Sequence, residues 1–183
     1  SGGLGEMIAA LSEGLTKRGV ECHLATLNLQ KRFQRENGLD DQTWTKIRHT
    51  IDPERIHLIS SSIFSHLASA YSGDPLQNAA EFQRQLVNMV IVNLRARNGG
   101  QIIIHSHDWM AGGVVTAYAK FRGCPVLHTI HNVHTGQVPL SMLYGVEIDR
   151  LRPYLYFSAD NGQVGIDSQA TAIKNASLVS FVS

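Results

Sequence analysis

Apolar residues along this chain fall into short runs, separated by stretches with helical spacing. Met7, Ile8, Leu11 and Leu15 share one helical face while Glu13, Lys17 and Arg18 lie on others, so Leu4 to Arg18 is predicted to be an amphipathic helix closed by Gly19. Five apolar runs read as strands: Val20 to Leu27, Ile56 to Ile59, Ile102 to His105, Val126 to Ile130, and Leu178 to Val182. Helical patterns cover about Gln77 to Arg97, Met110 to Phe121 and Gln169 to Asn175. This alternation predicts an α/β fold, one mainly parallel sheet with helices on both faces. Gln30 to Thr45 breaks the pattern: it is polar and carries Gly38, Asp40 and Asp41, so a long exposed excursion is expected there.

Composition narrows the classes. With 43% hydrophobic residues, a chain of 183 residues can bury one good core, which makes a single domain over 1–183 the default. A net charge of +1 and no dense Lys/Arg cluster argue against a nucleic-acid partner. No apolar run approaches the roughly 20 residues that a membrane helix needs, so no membrane partner is expected. Cys22 and Cys124 each lie in or beside a short apolar segment and read as small buried thiols, which fits a cytoplasmic location.

The candidate chemistry sits at segment ends. In the opening SGGLGE, Gly2, Gly3 and Gly5 allow a ligand close to the backbone, and the helix start offers unpaired N–H groups, together a phosphate-binding arrangement. Such a loop ordinarily follows a strand, so a first strand is expected to be missing ahead of Ser1. Ligands of parallel sheets bind beyond the carboxyl ends of the strands. There the third run delivers HSHDW, His105 to Trp109, and the fourth delivers HNVHTGQ, His131 to Gln137. Both are expected at the sheet edge that carries the glycine-rich loop. His107 is placed to reach the cleft, His105 to face the sheet interior, and His128 to lie inside the strand. Asp108 either caps the next helix or enters the cleft, Trp109 packs, and His23, His57 and His66 read as surface residues.

Taken in order, SGGLGE (Ser1 to Glu6), HSHDW (His105 to Trp109) and TIHN (Thr129 to Asn132) resemble the bacterial glycogen synthases and plant starch synthases. Their N-terminal catalytic domain carries Lys-x-Gly-Gly-Leu-x-Asp, His-x-His-Asp-Trp and Thr-[Val/Ile]-His-Asn segments. KRG at Lys17 to Gly19 and the helix at Ile173 to Ala176 are also similar, and the resemblance covers nearly the whole chain. It implies the N-terminal, Rossmann-like half of a GT-B glycosyltransferase. Such an enzyme transfers glucose with retention from a nucleotide-glucose donor, ADP-glucose or UDP-glucose, to an α-1,4-glucan acceptor, with no metal or other cofactor.

By the same resemblance, Gly2, Gly3, Leu4 and Gly5 hold the distal phosphate of the donor. His107 and Glu6 are the catalytic residues, His107 lying at the transferring glucose. Asp108, His131 and Asn132 line the substrate cleft. Glu6 stands where the family usually has Asp, the loop lysine would precede Ser1, and VHTGQVP follows TIHN where the family more often has an aromatic residue and QG. A C-terminal domain is the implied partner holding the nucleotide, so residues 1–183 alone are expected to be inactive.

Two other classes use the same residues. A metal-dependent hydrolase could ligate its ion with His105, His107, His131 and His134, although no Asp/Glu cluster completes the set. A non-catalytic Rossmann domain binding a nucleotide or carbohydrate would account for Glu6 in place of Asp.

Overall fold

The computed structural model describes residues 3–29, 51–67, 69–160 and 162–182. Gly2 and the expected excursion from Gln30 to Thr45 lie outside them. The chain divides into two compact units, residues 1–73 and 74–183.

In the first unit, helix α1 (Gly3–Thr16) is followed by two parallel strands, β1 (Leu24–Leu27) and β2 (Ile56–Ile59), paired from Leu24↔Ile56 to Leu27↔Ile59. Ala9 of α1 and Ile51 are buried together, with Leu24 and Ile56 packed on them, while Met7, Ile8, Leu11 and Leu15, the predicted apolar face, are half-buried. Gly19 takes a φ of 77° and its N–H donates to the Thr16 carbonyl at 2.9 Å, which ends the helix. The helix begins earlier than predicted, at Gly3. Gly3 to Glu6 are therefore its first turn and not a loop ahead of it.

The second unit holds strands β3 (Ile104–His107), β4 (Val126–Ile130), β5 (Gln137–Pro139), β6 (Phe157–Asp160), β7 (Gln163–Asp167) and β8 (Leu178–Phe181). Three of them form a parallel sheet in the order β3-β4-β8. All five predicted runs thus contribute parallel strands, β1 and β2 in the first unit and β3, β4 and β8 in the second. Helices α4 (Gly113–Phe121) and α6 (Ser168–Asn175) supply the crossovers from β3 to β4 and into β8. One face of the sheet is apolar: Ala119, Cys124 and Val126 are buried with Ile102, Ile104 and Ala176 against them.

β3 starts two residues later than its apolar run suggests. Pairing with β4 begins at Ile104↔Val126, and Ile103 is 72% exposed, so the ladder takes in the polar residues of HSH instead. The long helical pattern before it divides into α2 (Pro75–Gln85), a six-residue π-helical stretch (Leu86–Ile91) and α3 (Val92–Arg97). Asp74 caps α2, accepting from the Leu76 and Gln77 amides at 3.0 and 3.2 Å, and Pro75 follows at the first helical position. The remaining strands make an antiparallel sheet, β5-β7-β6, which the sequence pattern does not announce. Its strands are short, and Gln137, Ser158, Asp160, Gln163 and Asp167 interrupt any apolar run. The short helix α5 (Ile148–Leu151) lies between β5 and β6. No described helix is long and apolar enough to cross a membrane.

Candidate active site

Side chains two apart on a strand share a face, so His105 and His107 of β3 point the same way. Their ring centroids are 4.2 Å apart. The expectation that His105 turns inward while His107 turns to the cleft therefore fails; Ser106 takes the opposite, helix-covered face. Parallel pairing places Thr129 of β4 beside His107, and Ser180 of β8 beside Thr129. Thr129 Oγ1 bonds His105 Nε2 at 2.8 Å and Ser180 Oγ at 2.7 Å, a polar ladder across the three strands. At the carboxyl end, His107 Nδ1 meets His131 Nε2 at 3.2 Å, with ring centroids 5.4 Å apart.

Burial sets the charge of this group. His107 is pushed down to about 3, chiefly because burial disfavours its charged form and then because His105, His131 and His128 would oppose a further positive charge. Burial also holds His105 below the usual imidazole value, helped by His128 and His131. His107 is consequently neutral near pH 7, a hydrogen-bonding imidazole and not an acid. His128 is fully buried on the other face, as its apolar neighbours predict, with Nδ1 bonded to Ser106 Oγ at 2.8 Å. Burial lowers it too, against the opposing effects of Gln169 and Asp108. His128 Nε2 and the Gln169 amide are both buried, near enough to influence each other but outside full hydrogen-bond geometry.

Asp108 does not cap the turn that follows it. Among the described residues it is the one non-glycine with positive φ, at 54° with ψ 178°, and this turns its carboxylate back toward the end of β4. Oδ1 accepts from the backbone N–H of His131 at 2.7 Å and of Asn132 at 3.3 Å, while Oδ2 accepts from Asn132 Nδ2 at 3.2 Å. Asn132 Oδ1 in turn accepts from the His134 amide at 3.1 Å. Asp108, His131 and Asn132, three predicted cleft residues, are thus one hydrogen-bonded group joining the ends of β3 and β4.

Trp109 is buried as packing, so close to Gly136 that a Cβ there would stand 2.2 Å from the indole. Beneath it Gln83 of α2, absent from any motif, is buried at the junction of four segments. Its Nε2 donates to the carbonyls of Trp109 (3.4 Å) and Met110 (3.2 Å) and to Ser168 Oγ (3.3 Å), and its Oε1 accepts from the Val114 amide at 2.9 Å. Gly113 leaves the room for it, since a Cβ there would be 2.0 Å from Gln83 Oε1. A polar residue on the buried face of an amphipathic helix was the available signal.

In the first unit, Gly3, Leu4, Gly5 and Glu6 form the opening turn of α1, with Glu6 exposed. His23 and His57 are not simple surface residues: both are half-buried, with His23 Nδ1 and His57 Nε2 2.9 Å apart and Glu21 Oε1 2.9 Å from His23 Nε2. His66 is exposed. Cys22 is half-buried and Cys124 buried, both free thiols. No three His, Cys, Asp or Glu side chains among the described residues are arranged to hold a metal ion.

A family model described as starch synthase catalytic domain matches residues 1–183, from the first residue to the last. No curated protein matches, and no solved structure matches.

Proposed function

Because the chain belongs to the starch synthase catalytic domain family, and so is a glycosyltransferase domain acting on glucans, we propose that it is one half of a retaining glucosyltransferase that uses a nucleotide-glucose donor and extends an α-1,4-glucan. The observation that carries this reading is His107: a neutral imidazole at the carboxyl end of β3, steadied by His131, within the segment that matches the family. In retaining transfer, negative charge grows on the departing phosphate while positive charge grows on the glucose. A neutral His107 donates or accepts a hydrogen bond at the sugar without adding a charge that opposes the second of these. The backbone N–H groups of Gly3, Leu4 and Gly5, in the first turn at the positive end of α1, suit the distal phosphate, a role the family resemblance extends to Gly2. Glu6 stands beside them, one methylene longer than the family's Asp. Asp108, His131 and Asn132 form the wall of the sugar cleft, and a second, nucleotide-holding domain completes the site. No metal or other cofactor is assigned a role.

The test is glucose transfer to glycogen by the full-length protein, with ADP-glucose and UDP-glucose offered separately. The expected result is an α-1,4-linked product from one donor, unaffected by a chelator, and none from residues 1–183 alone. Failure of both donors, or loss of activity on chelation, contradicts the reading.

A further inference from the structure

The backbone of Asp108 occupies a region that L side chains rarely adopt and glycine occupies freely, yet the residue is only 4% exposed and makes three hydrogen bonds to the next strand end. Strain of this kind persists where the surroundings hold it. Here the Asp108 amide donates to the Thr129 carbonyl at 3.0 Å, and the carboxylate engages the amides of His131 and Asn132. With both sides of the residue tied to β4, the chain direction after Ile130 is set by Asp108. His131, whose ring meets His107, is the first residue so held.

We infer that Asp108 is a positioning residue: its strained backbone aims a carboxylate at the His131 and Asn132 amides, and by fixing His131 it fixes the hydrogen bond that orients the His107 ring. Asn132 cannot substitute by turning its amide over, because its Oδ1 is engaged by the His134 N–H. Replacing Asp108 with Asn therefore sets an amide donor against the donor Nδ2 of Asn132, although the size and shape are unchanged.

This inference rests on the reading of His107 given above, so its test carries a readout that does not need turnover. In the full-length protein, Asp108→Asn and Asp108→Gly are compared with wild type. Glycine accommodates the local backbone without strain and removes the carboxylate altogether, so it keeps the question answerable if the Asn variant folds poorly. Imidazole ¹⁵N spectra are expected to show the His107 and His131 ring signals displaced in both variants, with those of His105 and His128 near their wild-type positions. Turnover on the nucleotide-glucose donor should fall about a hundredfold, the scale expected for a misplaced catalytic group, with donor KM changed less than about threefold. Wild-type His107 and His131 signals in either folded variant, or turnover within twofold of wild type, would overturn the inference. So would loss of fold in both, which would make Asp108 a folding residue only. Absence of transfer by the wild-type protein would instead refute the proposed function and leave the spectra to decide the role of Asp108.

Discussion

A cross-strand histidine pair stands in each unit among the described residues, His23 with His57 and His107 with His131, and the two are secured in different ways. In the first unit, His23 lies just before β1 and His57 on β2, and a carboxylate, Glu21, sits directly on a ring nitrogen of the pair. The His23 hydrogen bond, and then Arg55 at 3.6 Å from the other Glu21 oxygen, lower the Glu21 pKa. In the second unit, His107 ends β3 and His131 follows β4, and the nearby carboxylate of Asp108 bonds the His131 and Asn132 backbone amides and the Asn132 side chain, and neither ring of the pair. A carboxylate on an imidazole nitrogen holds the ring directly, whereas one on the backbone amides holds the chain that carries the ring. The second arrangement suits a site that needs a neutral imidazole held in place.

The difference between the two pairs should show most strongly in turnover. Replacing His107 with Ala in the full-length protein should lower kcat roughly ten- to a thousandfold, the range seen when a group that stabilises the transition state is removed, with a smaller change in donor affinity. His23→Ala, which removes the corresponding ring of the other pair, should leave kcat within about threefold of wild type. Equal losses from the two would erase the distinction.

Next in size is a stability effect without a catalytic one. His128 is fully buried and bonded to Ser106, so His128→Ala opens a cavity and removes that partner, at a cost on the order of 2–4 kcal/mol. Thermal melting should show a clear drop, and the residual folded enzyme should keep its turnover per molecule. A stable but inactive variant would move His128 from the interior to the site.

Acid sensitivity sharpens the same contrast with a smaller signal. His105, His107 and His128 all have values lowered in the folded state, His107 from 6.5 to about 3. Between those values the unfolded chain binds protons that the folded chain refuses, so stability declines as pH falls from about 6.5 toward 3. Denaturant midpoints measured along that range should show the decline, and His107→Gln should flatten it. An unchanged slope would mean that His107 is protonated in the folded protein.

Much of the fold was legible because apolar runs with sharp boundaries, Ile56 to Ile59 and Val126 to Ile130, coincide with strands of the parallel ladders. Where the apolar run and the ladder disagree, as at Ile103, register against a neighbour prevailed over composition. The antiparallel sheet was hidden because hairpin pairing, with Gly162 at φ 79° in the turn, needs little apolar character in Gln163 or Ser158. In HSHDW, the sequence marked the residues proposed for the site but not their directions. His105 and His107 share a face by the elementary alternation of a strand, a relation the sequence does carry. The turned-back carboxylate of Asp108 depends on a positive φ that no pattern announces, and Gln83 acts through contacts far apart in the chain.

The most direct test of the central claim is the ¹⁵N spectrum of the His107 ring in the full-length protein, followed from pH 8 to 4 with and without the nucleotide-glucose donor. A neutral His107 over the whole range, with ring signals that move on adding donor while those of His23 and His57 stay in place, is the predicted result. A His107 that titrates near 6.5, or one that the donor leaves unmoved, would contradict it.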